Sequence, residues 1–396
     1  MGNFGEMKKK YIWDARILQI FLFAQSIVTI FALKDYAGDR NVHIINTLLL
    51  PTVVVFMIAR QYKLSSIETI YVAGMLFGFM LHVLIGVDKI SDISNKLFAR
   101  IVPVLLLSVA LHQREKPKLF IAFFFLFYIL ECGLAVYEKV TLDHYYPYKD
   151  IDSFMATTAL MDDSASFRSY SLMLHPLFNA NTVSVCLAFV LCSNRLKSII
   201  KIALIALGLF ALWGINSRGA MIIWGIILLY RIVLYKAKLA YTIVTVMVLY
   251  FALPPLIEWL LFSGVFGRLA DFDFSDSSTL TRFEAFNVFQ AEKWDFNSII
   301  AGGKEICYPG TQVTLENGFL LDLGYWGLVV GSVKIIGELL ITYKAIGMYA
   351  IQDRIILLMA VWGVAFMNNN SYNTWLMPVF VMATVCYNDY MPYRKK

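Results

Sequence analysis

The sequence predicts an all-α, polytopic integral membrane protein: about 12 transmembrane helices in a single transmembrane domain over residues 1–396. Three observations carry this: a composition too apolar for a soluble fold, a series of apolar runs of spanning length, and an alternation of basic residues between the runs. Of the residues, 59% are hydrophobic and 16% charged, with a mean hydropathy of +0.66; soluble domains carry roughly a quarter charged residues. A span needs about 20 mostly apolar residues to cross the hydrocarbon core. Such runs fall near 13–33, 42–59, 67–87, 97–112, 119–137, 173–192, 199–215, 219–235, 239–262, 318–343, 355–367 and 374–390.

The first run follows Lys8-Lys9-Lys10, as the core of a signal peptide would. From Ile17 to Leu33 it is too long for one and has no A-x-A site, so it is expected to be a span. Lysines and arginines then mark alternate gaps: Arg60 and Lys63; Arg114, Lys116 and Lys118; Arg195, Lys197 and Lys201; Arg231, Lys236 and Lys238; Lys344 and Arg354; and Arg394 to Lys396. The other gaps hold most of the acids, among them Asp150, Asp152, Asp162, Asp163, Asp271, Asp273 and Asp276. By the positive-inside rule the basic set is cytoplasmic, and both termini with it. The net charge of +6 is thus spent on topology, and no basic stripe suggests a nucleic-acid partner. The five cysteines are scattered, with neither zinc-site nor disulfide-framework spacing.

Connections on the cytoplasmic side are short, whereas two on the opposite side are long, at about 138–172 and 263–317. In the second, Ser278 to Glu284 predicts a helix start, with Thr281 and Glu284 at capping-box spacing and Arg282 at its N-terminus. Phe283, Phe286 and Phe289 recur as a stripe suited to lying on a membrane surface.

Charges within spans are functional candidates. Arg100, Glu131 and Asp322 lie near predicted outer ends, and Lys334 and Glu338 are spaced i,i+4 toward an inner end; all can snorkel or pair, which leaves mid-depth nearly clean. Arg218 stands out, because Asn216-Ser217-Arg218-Gly219 forms a whole outer turn with no acid nearby in sequence. Its guanidinium fork matches phosphate oxygens. Arg168 closes the first long loop just before His175-Pro176, a pair that reads first as a helix start. Glu316 precedes Asn317, an N-cap candidate at the opening of the tenth run.

Taken in order, these motifs resemble the O-antigen ligase/polymerase superfamily. Ser217-Arg218-Gly219-Ala220 resembles its SRGA span start. Ser278 to Arg282, within SSTLTRFEAF, is similar to the arginine-bearing helix of its large periplasmic loop. Glu316 to Leu328, ENGFLLDLGYWGL, is similar to the family's HN-x-x-L segment, with glutamate where ligases keep histidine. Phe167-Arg168 and His175-Pro176 resemble the upstream arginine and HPN, with Leu177 replacing the usual asparagine.

The resemblance implies a GT-C-like fold and a metal-independent inverting glycosyltransferase without a cofactor. Its donor and acceptor would be undecaprenyl-pyrophosphate-linked oligosaccharides. The implied setting is the periplasmic face of the bacterial inner membrane, among membrane lipids and with room for a chain-length-regulating co-polymerase. Carried over, Arg218 and Arg282 contact the pyrophosphate, with Arg168, His175 and Asn317 also binding substrate, and Glu316 is the general base. Losing the ligase histidine favours a polymerase of O-antigen or capsule repeat units. A ligase to lipid A-core is the nearer alternative. A lipid-linked oligosaccharide flippase is the further one, since such a transporter is expected to show repeats and a charged central cavity.

Overall fold

The computed structural model describes residues 2–87, 90–113, 115–145, 167–193, 196–231, 277–310, 315, 317–367 and 376–387; side chains of 2–10, 39, 90–96, 277–283 and 367 fall outside the description. Helices α1 (Gly2–Thr29), α2 (Phe31–Ala37), α3 (Asp39–Arg60), α4 (Ser66–Ile85), α5 (Ile90–His112) and α6 (Lys118–Thr141) come first. A turn at Ser171–Met173 leads into α7 (Pro176–Cys192), α8 (Ser198–Ile215) and α9 (Arg218–Leu229). Then follow α10 (Ser277–Ala291), α11 (Phe296–Ala301), α12 (Gly318–Ala345) and α13 (Ile351–Leu358). A π-helical turn at Met359–Gly363 joins α13 to α14 (Val364–Met367), and α15 (Leu376–Tyr387) is the last element described.

By length and composition six of the described helices could cross a membrane: α1 from Tyr11, α3 from Arg40, α4, α6, α8 and, taken across the break described below, α12. Shorter apolar helices lie in α5, α7, α9 and α15. The run expected at 239–262 lies outside the described residues. Among the described residues there is no β-strand. Outward faces are apolar too: Ile58, Leu84 and Ile199 are 71%, 78% and 82% exposed. In water such surfaces would aggregate, and against lipid they cost nothing. This is the build of a helical membrane protein.

Helix starts follow local chemistry. In α4, the Ser65 and Glu68 side chains and backbones satisfy each other as a capping box. Pro176 at the first position of α7 has no N–H to leave orphaned. The central post is α7, buried from Asn179 to Cys192, with α6, α8, α15 and the 359–367 stretch around it.

Several expectations need correction. The first run ends at Thr29, where Ile30 breaks it and α2 begins. The sixth apolar run becomes helical at Pro176, three residues later than expected, because 171–173 form a separate turn. The tenth span is not one helix. Gly327 sits at φ +82°, ψ 160°, a conformation outside the helical region and reserved for glycine. An unbroken helix would hold Asp322 and Lys334 about 18 Å apart along its axis, yet their side chains form an ion pair. A Cβ on Gly331 would come within 2.9 Å of the Asp322 carbonyl oxygen, so the outer half, 318–326, folds back beside 328–345. The break is braced by Gly303 N donating to Tyr325 O (2.9 Å) and Lys304 N to Gly324 O (3.2 Å). The longer half, 328–345, packs closely on α4: Cβ atoms at Gly74 and Gly78 would lie 2.6 Å from Val333 and Val330.

Candidate functional site

One end of the bundle is organised by the last turns of α6. Glu138 accepts hydrogen bonds from Ser169 Oγ (2.6 Å), Tyr170 N (2.9 Å) and Ser171 N (3.1 Å), and His144 Nδ1 lies 3.6 Å away. Lys139 Nζ donates to Phe167 O at 3.1 Å. Two turns deeper, the buried Glu131 accepts from Leu172 N at 3.1 Å. The returning chain at 167–172 is thereby stitched to α6, with the His144 ring stacked on Tyr170 and Phe167. Glu138 and Lys139 were missed by the sequence reading; an adjacent charged pair closing an apolar run was the signal that could have found them.

The same segment is bonded to the α8–α9 turn. Ser169 N donates to Gly214 O (3.2 Å) and Asn216 Nδ2 to Phe167 O (3.3 Å). Asn216 is left-handed at φ +55°, and Ser217 caps α9 by accepting from Ala220 N. Arg168 therefore lies between two residues bonded to the turn that carries Arg218, the first helical residue of α9. Both arginines are partly buried.

His175 caps α7, its Nδ1 accepting from Leu177 N at 3.2 Å. Burial, with the charge of Arg168 adding to it, pushes the imidazole down to about 4, so it is neutral near neutral pH. The helix start expected at His175-Pro176 is found, and His175 lies near Arg168 at the end of the bundle where the Arg168 and Arg218 segments meet.

A second group of elements reaches the same end. Ile223 of α9 lies against Gly363, and further along Arg231 pairs with Asp353 at 2.9 Å, so α9 runs antiparallel to 351–367. At the Arg218 end of that pair, the Phe366 ring meets Phe319 of α12 (5.5 Å between centroids) and Phe286 of α10 (6.4 Å). Asn317 caps α12, accepting from Phe319 N (3.1 Å) and Leu320 N (3.2 Å), as expected. Glu316 lies outside the described residues.

Helix α10 differs from expectation. Its backbone is already helical at Ser277, so Thr281 is interior to the helix and Arg282 lies past the first described turn. Arg282 is one turn before Phe286 in the backbone, and its side chain is outside the description. Of the aromatic stripe, Phe286 is 46% exposed, and the Phe283 side chain lies outside the description. Phe289 packs on Trp294 (5.1 Å), within a small core of Ala285, Ile306, Tyr308, Leu315, Leu320 and Leu321. Through these residues the described part of the second long loop, 277–310, packs on the start of α12.

Of the charges singled out within the apolar runs, Arg100, Asp322, Lys334 and Glu338 are buried together. Arg100, halfway along α5, is 5% exposed and reaches Asp322 at 3.3 Å and Glu338 at 3.6 Å. Lys334 pairs with Asp322 and lies 3.5 Å from Glu338, while Tyr71 of α4 donates to Glu338 at 3.0 Å. Two positive and two negative side chains are thus enclosed by α4, α5 and α12. The pairing foreseen for these groups is found, but across helices and away from water. Burial of such a group is tolerable only with complete pairing. Among the described residues no group of three or more His, Cys, Asp or Glu could hold a metal ion.

Neither a family model, a curated protein nor a solved structure matches the chain.

Proposed function

We propose that this membrane protein is a glycosyltransferase of the polysaccharide-polymerase type, acting on lipid-pyrophosphate-linked oligosaccharides at the extracytoplasmic mouth of a bundle of about 12 spans. The observation that carries this reading is the pair of hydrogen bonds, Ser169 to Gly214 and Asn216 to Phe167, which bring the Arg168 and Arg218 segments onto one mouth beside a neutral His175. In the proposed step, an acceptor sugar hydroxyl attacks the anomeric carbon of the donor. The anomeric carbon–oxygen bond breaks, and undecaprenyl pyrophosphate leaves with the electron pair. The two guanidinium groups stabilise the charge that develops on the diphosphate, usually the largest single catalytic contribution. The hydroxyl proton passes to Glu316, a role taken from the family resemblance alone. Arg282 is assigned to the same diphosphate on the same ground, supported by the packing of its helix against Phe366, Leu320 and Leu321.

The test is gel analysis of surface polysaccharide from a deletion strain carrying variants of the full chain. Arg218→Lys and Arg282→Lys are expected to give membrane-inserted protein and lipid A-core with a single repeat unit. Wild-type polymer from either would refute the bidentate role. Bare lipid A-core with accumulated long lipid-linked chains would indicate the ligase instead. One observation favours transport as a second reading: the broken α12 and the enclosed charges resemble the discontinuous helices of carriers. A flippase predicts a third outcome, in which single lipid-linked units stay on the cytoplasmic face.

A further inference from the structure

The proposed step uses none of the enclosed charges Arg100, Asp322, Lys334 and Glu338. Only Asp322 belongs to the outer half of α12; Lys334 and Glu338 are on the long half and Arg100 is on α5. Every ion pair that Asp322 makes therefore crosses the Gly327 break or leaves the helix. The other ties of the outer half are apolar contacts and backbone bonds: Phe319 with Trp362 and Phe366, His82 against Tyr325 and the buried Trp326, and the backbone bonds of 303–304. This half is also what α10 rests on, since Leu320 and Leu321 share a small core with Ala285 and Phe289.

We infer that the ion pairs of Asp322 with Arg100 and Lys334 hold the outer half of α12 folded back at Gly327, and that Asp322 is thereby a positioning residue: it seats α10, the helix that carries Arg282, over the mouth. Two charges attracted across a hinge in a buried interior resist straightening in addition to the apolar contacts, because separating them leaves each unpaired out of reach of water. The assignment of a task to α10 rests on the proposed glycosyl transfer; the geometric part does not.

The test combines a distance with an activity. Spin labels at the exposed positions 137 on α6 and 296 on α11 report how the α10–α11 unit sits on the bundle, in full-length protein with Cys307 and Cys386 changed to Ser. Wild type is expected to give one narrow distance distribution. Asp322→Asn is expected to broaden or shift it and to lower polymer ~100-fold, the scale for a displaced reacting group. The reversed pair, Arg100→Asp with Asp322→Arg, is expected to narrow the distribution and restore polymer in part. A narrow, unshifted distribution for Asp322→Asn overturns the inference whatever the polymer does. If Asp322→Asn fails to insert, the reversed pair decides: a recovered narrow distribution supports the inference, and an inserted protein with a broad one overturns it. A shifted distribution with wild-type polymer overturns the positioning role and keeps the hinge. The glycosyl-transfer reading fails separately, if Arg218→Lys makes wild-type polymer.

Discussion

Replacing Lys334 by methionine removes one positive charge from an enclosed and balanced group. In the intact protein Arg100 lies 3.3 Å from Asp322 and 3.6 Å from Glu338, and Lys334 lies 3.5 Å from Glu338. At an effective dielectric of about 20, one such attraction is worth roughly 5 kcal/mol before desolvation and like-charge repulsion are subtracted. The variant leaves two carboxylates facing one guanidinium. Breaking a buried pair on one side costs about 3–5 kcal/mol, chiefly because a charge is left uncompensated. Glu338→Gln in the same chain restores neutrality, keeps the Arg100–Asp322 pair, and offers an amide oxygen to the Tyr71 hydroxyl. The double variant is therefore expected to be more stable than Lys334→Met alone, with a coupling energy of about 2 kcal/mol. The assay is equilibrium unfolding of the purified full chain by titrating sodium dodecyl sulfate into mixed micelles. Wild type, both single variants and the double variant complete the cycle. Strict additivity would refute the reasoning, since it would mean the two charges do not sense each other.

Gly327→Ala is expected to destabilise the protein by more than the ~1–3 kcal/mol of strain for a non-glycine residue in this conformation. The added Cβ would also come within 2.7 Å of Ile300 O; an unchanged unfolding midpoint would contradict the break in α12. The His175 imidazole, at about 4 when folded, lies below its ordinary ~6.5. The unfolded chain thus binds a proton that the folded chain refuses, and this contribution to stability, present above about pH 6.5, is lost as pH falls toward about 4. His175→Asn keeps a capping oxygen and is expected to flatten that acid slope; an equal slope in the variant contradicts the assignment.

What the sequence revealed depended on range. Caps are local, so Asn317 and His175-Pro176 could be read directly from three or four residues. Apolar runs likewise place α3, α4, α6 and α8 within a few residues. The break in α12 was hidden because Leu-Gly-Tyr-Trp-Gly-Leu, from Leu323 to Leu328, is ordinary inside a membrane helix, where glycine is common. The charge group was hidden because its partners come from distant segments: Arg100 and Asp322 are 222 residues apart in sequence. At the mouth, the arginines could be singled out by type and position. What joins Arg168 to Arg218 is a pair of backbone-directed bonds and the anchoring of 169–171 by Glu138, and no spacing rule announces those.

The account turns on a diphosphate being held by arginines at this mouth. Native mass spectrometry of the purified full chain with undecaprenyl pyrophosphate, and with undecaprenol as the uncharged control, measures that directly. Wild type is expected to retain the pyrophosphate lipid at least ~10-fold better than undecaprenol, as charge-assisted bonds allow, with that preference lost in both Arg168→Ala and Arg218→Ala. Equal retention of the two lipids by wild type, or a preference undiminished in Arg218→Ala, would contradict it.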